Sequence, residues 1–166
     1  MCFHQIQETR QLRLEGRVRE QYQSRIDAGD KVVFPVAMQS ERGPSERPLL
    51  SVVDDDEMLR ESLPDLLREF GFTAQAFSSG QEFLASDCVE QTRCLILDIA
   101  MAGMSGLELQ LELNRRRPGI PIIFITAHRE EEIRRQAFRQ GAVKILYKPF
   151  SDTALLEAIN VALRVK

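Results

Sequence analysis

Cysteine is scarce in this 166-residue chain, and the three present are Cys2, Cys88 and Cys94. Their spacing matches no metal-binding pattern. A disulfide framework is not expected, which fits a reducing compartment. Cys94 lies inside an apolar run and reads as a small core residue. Long apolar runs are missing as well. No stretch approaches the ~20 residues needed to span a bilayer, and the N-terminal region lacks the apolar segment of a secretory signal. A soluble, cytoplasmic protein with no membrane contact is therefore expected. An excess of positive charge is also absent. The net charge is −3, so bulk electrostatics give no reason to expect direct contact with nucleic acid. What the chain does have is apolar material, 43% of its residues. That is enough to bury a core, in a length that suits one domain plus an appendage.

The appendage is residues 1–47. Arg, Gln and Glu dominate from Gln5 to Gln23, and Gly43-Pro44-Ser45-Glu46-Arg47-Pro48 reads as a flexible linker. Leu14, Val18, Tyr22 and Ile26 recur every four residues. The segment is either a disordered or loosely helical extension, or an amphipathic helix that binds a partner or dimerises. A third reading starts translation at Met38, because the compact domain begins only ten residues later.

From Pro48 onward, strand and helix signals alternate. Leu49-Leu50-Ser51-Val52-Val53, residues 72–77, Cys94-Leu95-Ile96-Leu97, residues 120–125 and residues 142–147 are short apolar runs. Runs this short and this rich in Val, Ile and Leu read as buried parallel strands. The intervening segments read as helices over residues 56–70, 79–85, 107–116 and 129–140. Gly71, Pro118-Gly119 and Gly141 serve as stops. Pro64 inside the first of these predicts a kink or a broken first turn. Ser151 caps a last helix with Leu155, Leu156, Ile159 and Leu163 on its apolar side. Five strands alternating with helices predict an α/β fold, a doubly wound five-stranded parallel sheet with helices on both faces.

Four of the apolar runs end on polar residues: Asp54-Asp55, Asp98, Thr126 and Lys148-Pro149. Open parallel sheets bind ligands outside the carboxyl ends of their strands, so these groups are expected to converge. Adjacent carboxylates such as Asp54 and Asp55 repel unless a cation lies between them. Mg²⁺ suits oxygen ligands and keeps several waters, so Asp54, Asp55, Asp98 and the Ala100 carbonyl would suffice. A carboxylate held against Mg²⁺ can attack a phosphoryl group, with Lys148 and Thr126 on the phosphoryl oxygens. Each element alone has a plainer meaning. An Asp-Asp pair is also a solvated turn or helix cap, Thr126 a cap, and Lys-Pro a turn. Their joint occurrence, in order and on separate strands, favours the site.

These residues carry a resemblance. Val52-Val53-Asp54-Asp55, the stretch from Leu97-Asp98 to Ser105-Gly106, Ile125-Thr126-Ala127-His128, and Gly141-Ala142 leading to Tyr147-Lys148-Pro149-Phe150 together resemble the receiver domain of two-component response regulators. The similarity runs over residues 48–166 and is strongest to FixJ-type receivers. It implies a flavodoxin-like (CheY-like) fold with strand order 2-1-3-4-5. It implies that Asp98 accepts phosphate from the phosphohistidine of a sensor histidine kinase or phosphotransfer protein. It further implies that Asp54, Asp55, Asp98 and the Ala100 carbonyl organise Mg²⁺, that Lys148 contacts the phosphoryl group, and that Thr126 reports its presence. The Lys148-Pro149 bond is expected to be cis.

Two departures follow. The family's switch pairs the threonine with an aromatic residue three positions before the lysine, and here that position is Ile145. Tyr147 is adjacent to the lysine and faces away from it by strand alternation, with a role in packing or surface contact. Ala100 leaves the path of a hydrolytic water open, and His128 either orders a water or faces solvent. The second departure concerns output. No helix-turn-helix or effector follows the last helix, so output is expected through the receiver's own surface to an unknown protein target. A homodimer through residues 129–164 is one such route, and Ile133, Ala137 and Phe138 are either core or contact. The chain is thus expected to be a stand-alone phosphoacceptor rather than a turnover enzyme. One alternative is a Mg²⁺-dependent phosphatase with an aspartyl nucleophile, although Ala100 stands where its general acid belongs. The other is a DNA-binding transcriptional regulator without its output domain.

Overall fold

The computed structural model describes residues 47–164. The expectations for residues 1–46, whether loose extension, amphipathic helix or a start at Met38, lie outside the described residues. Strand β1 (Leu49–Val53) leads into helix α1 (Glu57–Glu69) and β2 (Thr73–Phe77). Two short helices, α2 (Gly80–Ala85) and α3 (Cys88–Gln91), precede β3 (Thr92–Asp98). Then come α4 (Gly106–Arg116), β4 (Ile122–Thr126), α5 (Glu131–Arg139), β5 (Lys144–Tyr147) and α6 (Asp152–Arg164). All strand pairs are parallel, in the order β2-β1-β3-β4-β5. The expected doubly wound sheet is therefore present.

Burial follows position in the sheet. Every residue of β4 is buried, as is all of β3 except Arg93. The outer strands β2 and β5 mix buried and exposed positions because each has a neighbour on one side only. The apolar runs are longer than the strands they announced. Ile120 and Ala142 are core residues that precede β4 and β5, so apolar character tracked burial beyond the hydrogen-bonded ladder. The four-residue α3 was not foreseen. It is tied in by a buried relay: the Thr92 hydroxyl donates to the Cys88 carbonyl at 2.6 Å. The Thr92 proton being used there, Ser51 Oγ donates to Thr92 Oγ1 at 2.8 Å.

Helix α1 is capped by Asp56, whose carboxylate accepts the Met58 amide at 2.9 Å. Its first turn is not broken. Pro64 lies well inside a continuous helix, and the first turn closes through Arg60 N–H to Asp56 O at 3.1 Å. The helix ends on Gly71 at φ 86°. Gly71 N–H donates to Arg68 O at 2.9 Å and Phe72 N–H to Leu67 O at 3.1 Å, a Schellman ending that needs a residue at ease in left-handed backbone. The Arg68 guanidinium donates to Ala74 O on β2 at 3.1 Å.

Helix α5 is held unevenly. At its C-terminal end, Gln110 Nε2 of α4 donates to Ala137 O at 3.2 Å and Asn114 Nδ2 to Gln140 O at 2.8 Å. Ala137 is fully buried, Ile133 packs partly against the core, and Phe138 is exposed. At its N-terminal end the cap residue, Glu130, makes no side-chain capping bond. Ser151 caps α6 by accepting the Ala154 amide at 3.1 Å. Leu155, Leu156 and Ile159 are buried along α6, whereas Leu163 is only half-buried.

Candidate functional site

Parallel strands bring their carboxyl ends to one edge of the sheet. Asp54 follows β1 directly and is fully buried, Asp98 ends β3 and is 6% exposed, and Thr126 ends β4 and is buried. Lys148 follows β5, and its N–H donates to Thr126 O at 2.8 Å, which sets the two strand ends side by side. The Lys148-Pro149 peptide is cis.

Three consecutive acids after β1 have three separate tasks. Asp54 Oδ2 accepts from Lys148 Nζ at 3.2 Å, and its Oδ1 accepts the Asp56 amide at 2.8 Å. Asp55 is exposed, and its Oδ2 accepts the Ala102 amide at 3.3 Å. Asp56 caps α1, so the plainer meaning of an acidic run belongs to the third acid. Carboxylate oxygens of Asp54, Asp55 and Asp98 lie within 4.8 Å of one another. This all-oxygen donor set suits a hard divalent cation.

Lys148 Nζ also stands 3.5 Å from Asp98 Oδ2, so one ammonium serves two buried carboxylates. Burial pushes the Asp98 carboxyl above the ordinary carboxylate range, and the Asp54 charge pushes the same way. Lys148 and the Ala100 amide, 3.4 Å from Asp98 Oδ1, pull it back only in part. Burial of Lys148 works against its charge, yet Asp98 and Asp54 hold its ammonium above the ordinary lysine range. The cluster is short of positive charge, and a divalent cation would supply it.

Thr126 is not a helix cap. Its Oγ1 accepts the His128 amide at 3.0 Å, which leaves the hydroxyl proton free to be donated. His128 is exposed and its ring pairs with Glu130 at 3.3 Å. Ala100 is exposed in the loop after β3.

Residues 50–160 match the family model described as the response regulator receiver domain. The chain belongs to this family. The receiver is 43% identical over 118 residues to nodulation protein W of Bradyrhizobium diazoefficiens, covering 71% of this chain and 52% of that protein. It is 38% identical over 111 residues to the transcriptional regulatory protein FixJ of Rhizobium meliloti, covering 67% of this chain and 54% of that one. It thus spans about half the length of the curated relatives it matches. Among solved structures, it is similar to response regulator StyR with 46% identity and a TM-score of 0.66, covering 71% of this chain and 60% of that one. It is similar to FixJ-N with 36% identity and a TM-score of 0.64, covering 71% and 94%. The chain therefore carries the receiver domain of a two-component response regulator, a signalling module. Among the described residues no helix is long and apolar enough to cross a membrane.

Two features of this receiver were not read from the sequence. The first lies behind Asp98. Ser105 and Glu108 form a capping box that starts α4, and Gly106 N–H donates to Ile99 O at 2.9 Å. A Cβ on Gly106 would lie 2.2 Å from the Asp98 backbone oxygen, so only glycine lets α4 press against the chain that carries Asp98. The Ser-x-x-Glu spacing before an apolar periodic run was the available signal. The second lies beside Thr126. Ile145 is the register partner of Phe124 and packs against the core, whereas Tyr147 is the register partner of Thr126. The Arg129 guanidinium lies 4.8 Å from the centroid of the Tyr147 ring. No local pattern joins residues 129 and 147.

Proposed function

We propose that this receiver is a phosphoacceptor switch in which Asp98 takes a phosphoryl group from the phosphohistidine of a sensor histidine kinase or phosphotransfer protein. The observation that carries this reading is the convergence of the Asp54, Asp55 and Asp98 carboxylates at the sheet edge, with one Lys148 ammonium bonded to both Asp54 and Asp98. In the transfer, an Asp98 carboxylate oxygen forms a bond to phosphorus while the phosphorus–nitrogen bond breaks. The imidazole leaves with the electron pair and takes up a proton. Lys148, already between Asp54 and Asp98, moves its charge onto the phosphoryl oxygens. Thr126 donates its hydroxyl proton to the same oxygens. Asp54, Asp55, Asp98 and the Ala100 carbonyl would hold Mg²⁺, which when bound neutralises charge on the phosphoryl oxygens. The output face is α5, β5 and α6, through which this receiver docks a target protein or a second copy of itself.

The test is incubation with acetyl phosphate and Mg²⁺, read by intact mass. A gain of one phosphoryl group that disappears in Asp98→Asn is expected. No gain, or a gain that persists in Asp98→Asn, refutes the reading. Multiple turnover of a phosphoester would favour a phosphatase instead, although the Ala100 methyl has no proton to give a leaving group. A second reading, control of transcription, is favoured by the names of relatives such as the transcriptional regulatory proteins TdiR and FixJ, of which this receiver spans about half. Binding of the chain to duplex DNA with a steep salt dependence would support it.

A further inference from the structure

Phosphorylation needs a reporter, and Ile145, partly buried, packs against the core in register with Phe124. A short aliphatic side chain there carries less surface to a new position than an aromatic ring would. One step further along β5, Tyr147 stands in register with Thr126. By strand alternation the two side chains share a face. Tyr147 is half-buried and the guanidinium of exposed Arg129 covers its ring at 4.8 Å. Arg129 belongs to the short turn that begins at Thr126, and that turn is tied by His128 N–H to Thr126 Oγ1 at 3.0 Å. The N-terminal end of α5, next in the chain, has no side-chain cap, while its C-terminal end is held by Gln110 and Asn114. The part of the chain free to follow Thr126 is therefore the turn carrying Arg129.

We propose that Arg129 is a lid on Tyr147, and that phosphorylation of Asp98 pulls it away through Thr126. This rests on the phosphoacceptor reading and assigns the relay that reading lacks. The Thr126 hydroxyl has one proton to donate and lone pairs to accept with. It donates toward the phosphoryl oxygens while keeping the His128 amide as its own donor. The turn follows the hydroxyl, Arg129 leaves the ring, and an aromatic face opens on β5. The resting contact is weak enough to be switched: an exposed cation–π pair favours its closed form by about two- to five-fold. The exposed tyrosine face, open in about a sixth to a third of resting chains, becomes the prevailing state on phosphorylation, and aromatic side chains are efficient anchors for a partner.

The chain has two tyrosines, Tyr22 and Tyr147, and no tryptophan. In the full chain carrying Tyr22→Phe, tyrosine emission reports on Tyr147 alone. The experiment measures acrylamide quenching of that emission before and after acetyl phosphate with Mg²⁺, alongside the phosphorylated fraction by intact mass. Quenching is expected to rise about three-fold on full phosphorylation, because a roughly two-fold preference for the closed form, the lower bound set by the contact, leaves about a third of the rings open at rest. Arg129→Ala is expected to show the raised value without phosphate and no further rise with it. Thr126→Ala, compared at equal phosphorylated fraction, is expected to show none. If the chain gains phosphate and quenching does not change, the lid is refuted and the phosphoacceptor reading stands. If quenching rises equally in Thr126→Ala, the relay through Thr126 is refuted. If Asp98 takes no phosphate, both proposals fall together.

Discussion

Gly106→Ala sets two effects of opposite sign against each other. Gly106 opens α4 without a left-handed φ, so alanine there should gain about 0.5–1 kcal/mol from helix propensity and a stiffer unfolded chain. Against this, the new Cβ would lie 2.2 Å from the Asp98 backbone oxygen and 2.9 Å from Ile99 Cα. Both atoms belong to backbone at the end of β3, which is paired to β1 on one side and β4 on the other. Neither can turn aside as a side chain would. Overpacking of this kind costs about 1–3 kcal/mol. Pushing α4 outward also lengthens the 2.9 Å bond from Gly106 N–H to Ile99 O, which is worth about 0.5–1.5 kcal/mol. The contact wins, and a net loss of about 2 kcal/mol is expected. Urea denaturation measures it: with a slope of about 1–3 kcal/mol/M, the midpoint should fall by roughly 1 M at unchanged slope. Gly80→Ala is the control, because its Cβ would meet the Met104 Sδ at 3.0 Å and Leu109 Cδ2 at 3.3 Å, both side-chain atoms. Its midpoint should move less. A Gly106→Ala midpoint equal to or above the parent's would refute the reasoning.

The raised titration of Asp98 has a definite sign. The folded chain holds that proton more tightly than the unfolded chain, so stability falls as pH rises through the ordinary carboxylate range toward the folded value. Asp98→Asn has no charge to bury and should be more stable than the parent at neutral pH without divalent cation. The difference should close in acid, and melting curves across pH test both statements. A neutral-pH parent more stable than Asp98→Asn would contradict them. Lys148→Met removes the ammonium 3.2 Å from Asp54 and 3.5 Å from Asp98. It should cost about 1–3 kcal/mol by leaving buried carboxylates unpartnered. MgCl₂ at one hundred times its dissociation constant should return up to about 2.7 kcal/mol. Sodium chloride of equal ionic strength should not, and equal recovery by both salts would argue against a cation site.

Much of this architecture is legible along the chain because a parallel sheet converts sequence order into spatial convergence. Asp54, Asp98, Thr126 and Lys148 each terminate an apolar run, and the topology then has one place to put them. Boundaries were less legible. Ile120 and Ala142 are as buried as strand residues yet precede the ladder, since hydrophobicity reports burial and not hydrogen bonding. Helix α3 is four residues long with a single buried side chain, too short for any periodicity. The division of labour among Asp54, Asp55 and Asp56 was hidden because it depends on where each carboxylate points. The Arg129–Tyr147 contact was hidden because it exists only once β4 and β5 lie side by side.

The outer strand β2 has a consequence for how copies of this chain meet. Thr73 N–H donates to Pro48 O and Phe77 O accepts from Asp54 N–H, so the odd-numbered positions of β2 face inward to β1. Alternation leaves Ala74 and Ala76 to offer their backbone groups outward. Arg68 already occupies the Ala74 carbonyl. A second molecule adding its own strand there would find a short edge, and would have to evict a guanidinium to pair with it. The sheet is in effect closed to growth on that side, which leaves the helices and the opposite edge at β5 as the surfaces through which this protein can keep company.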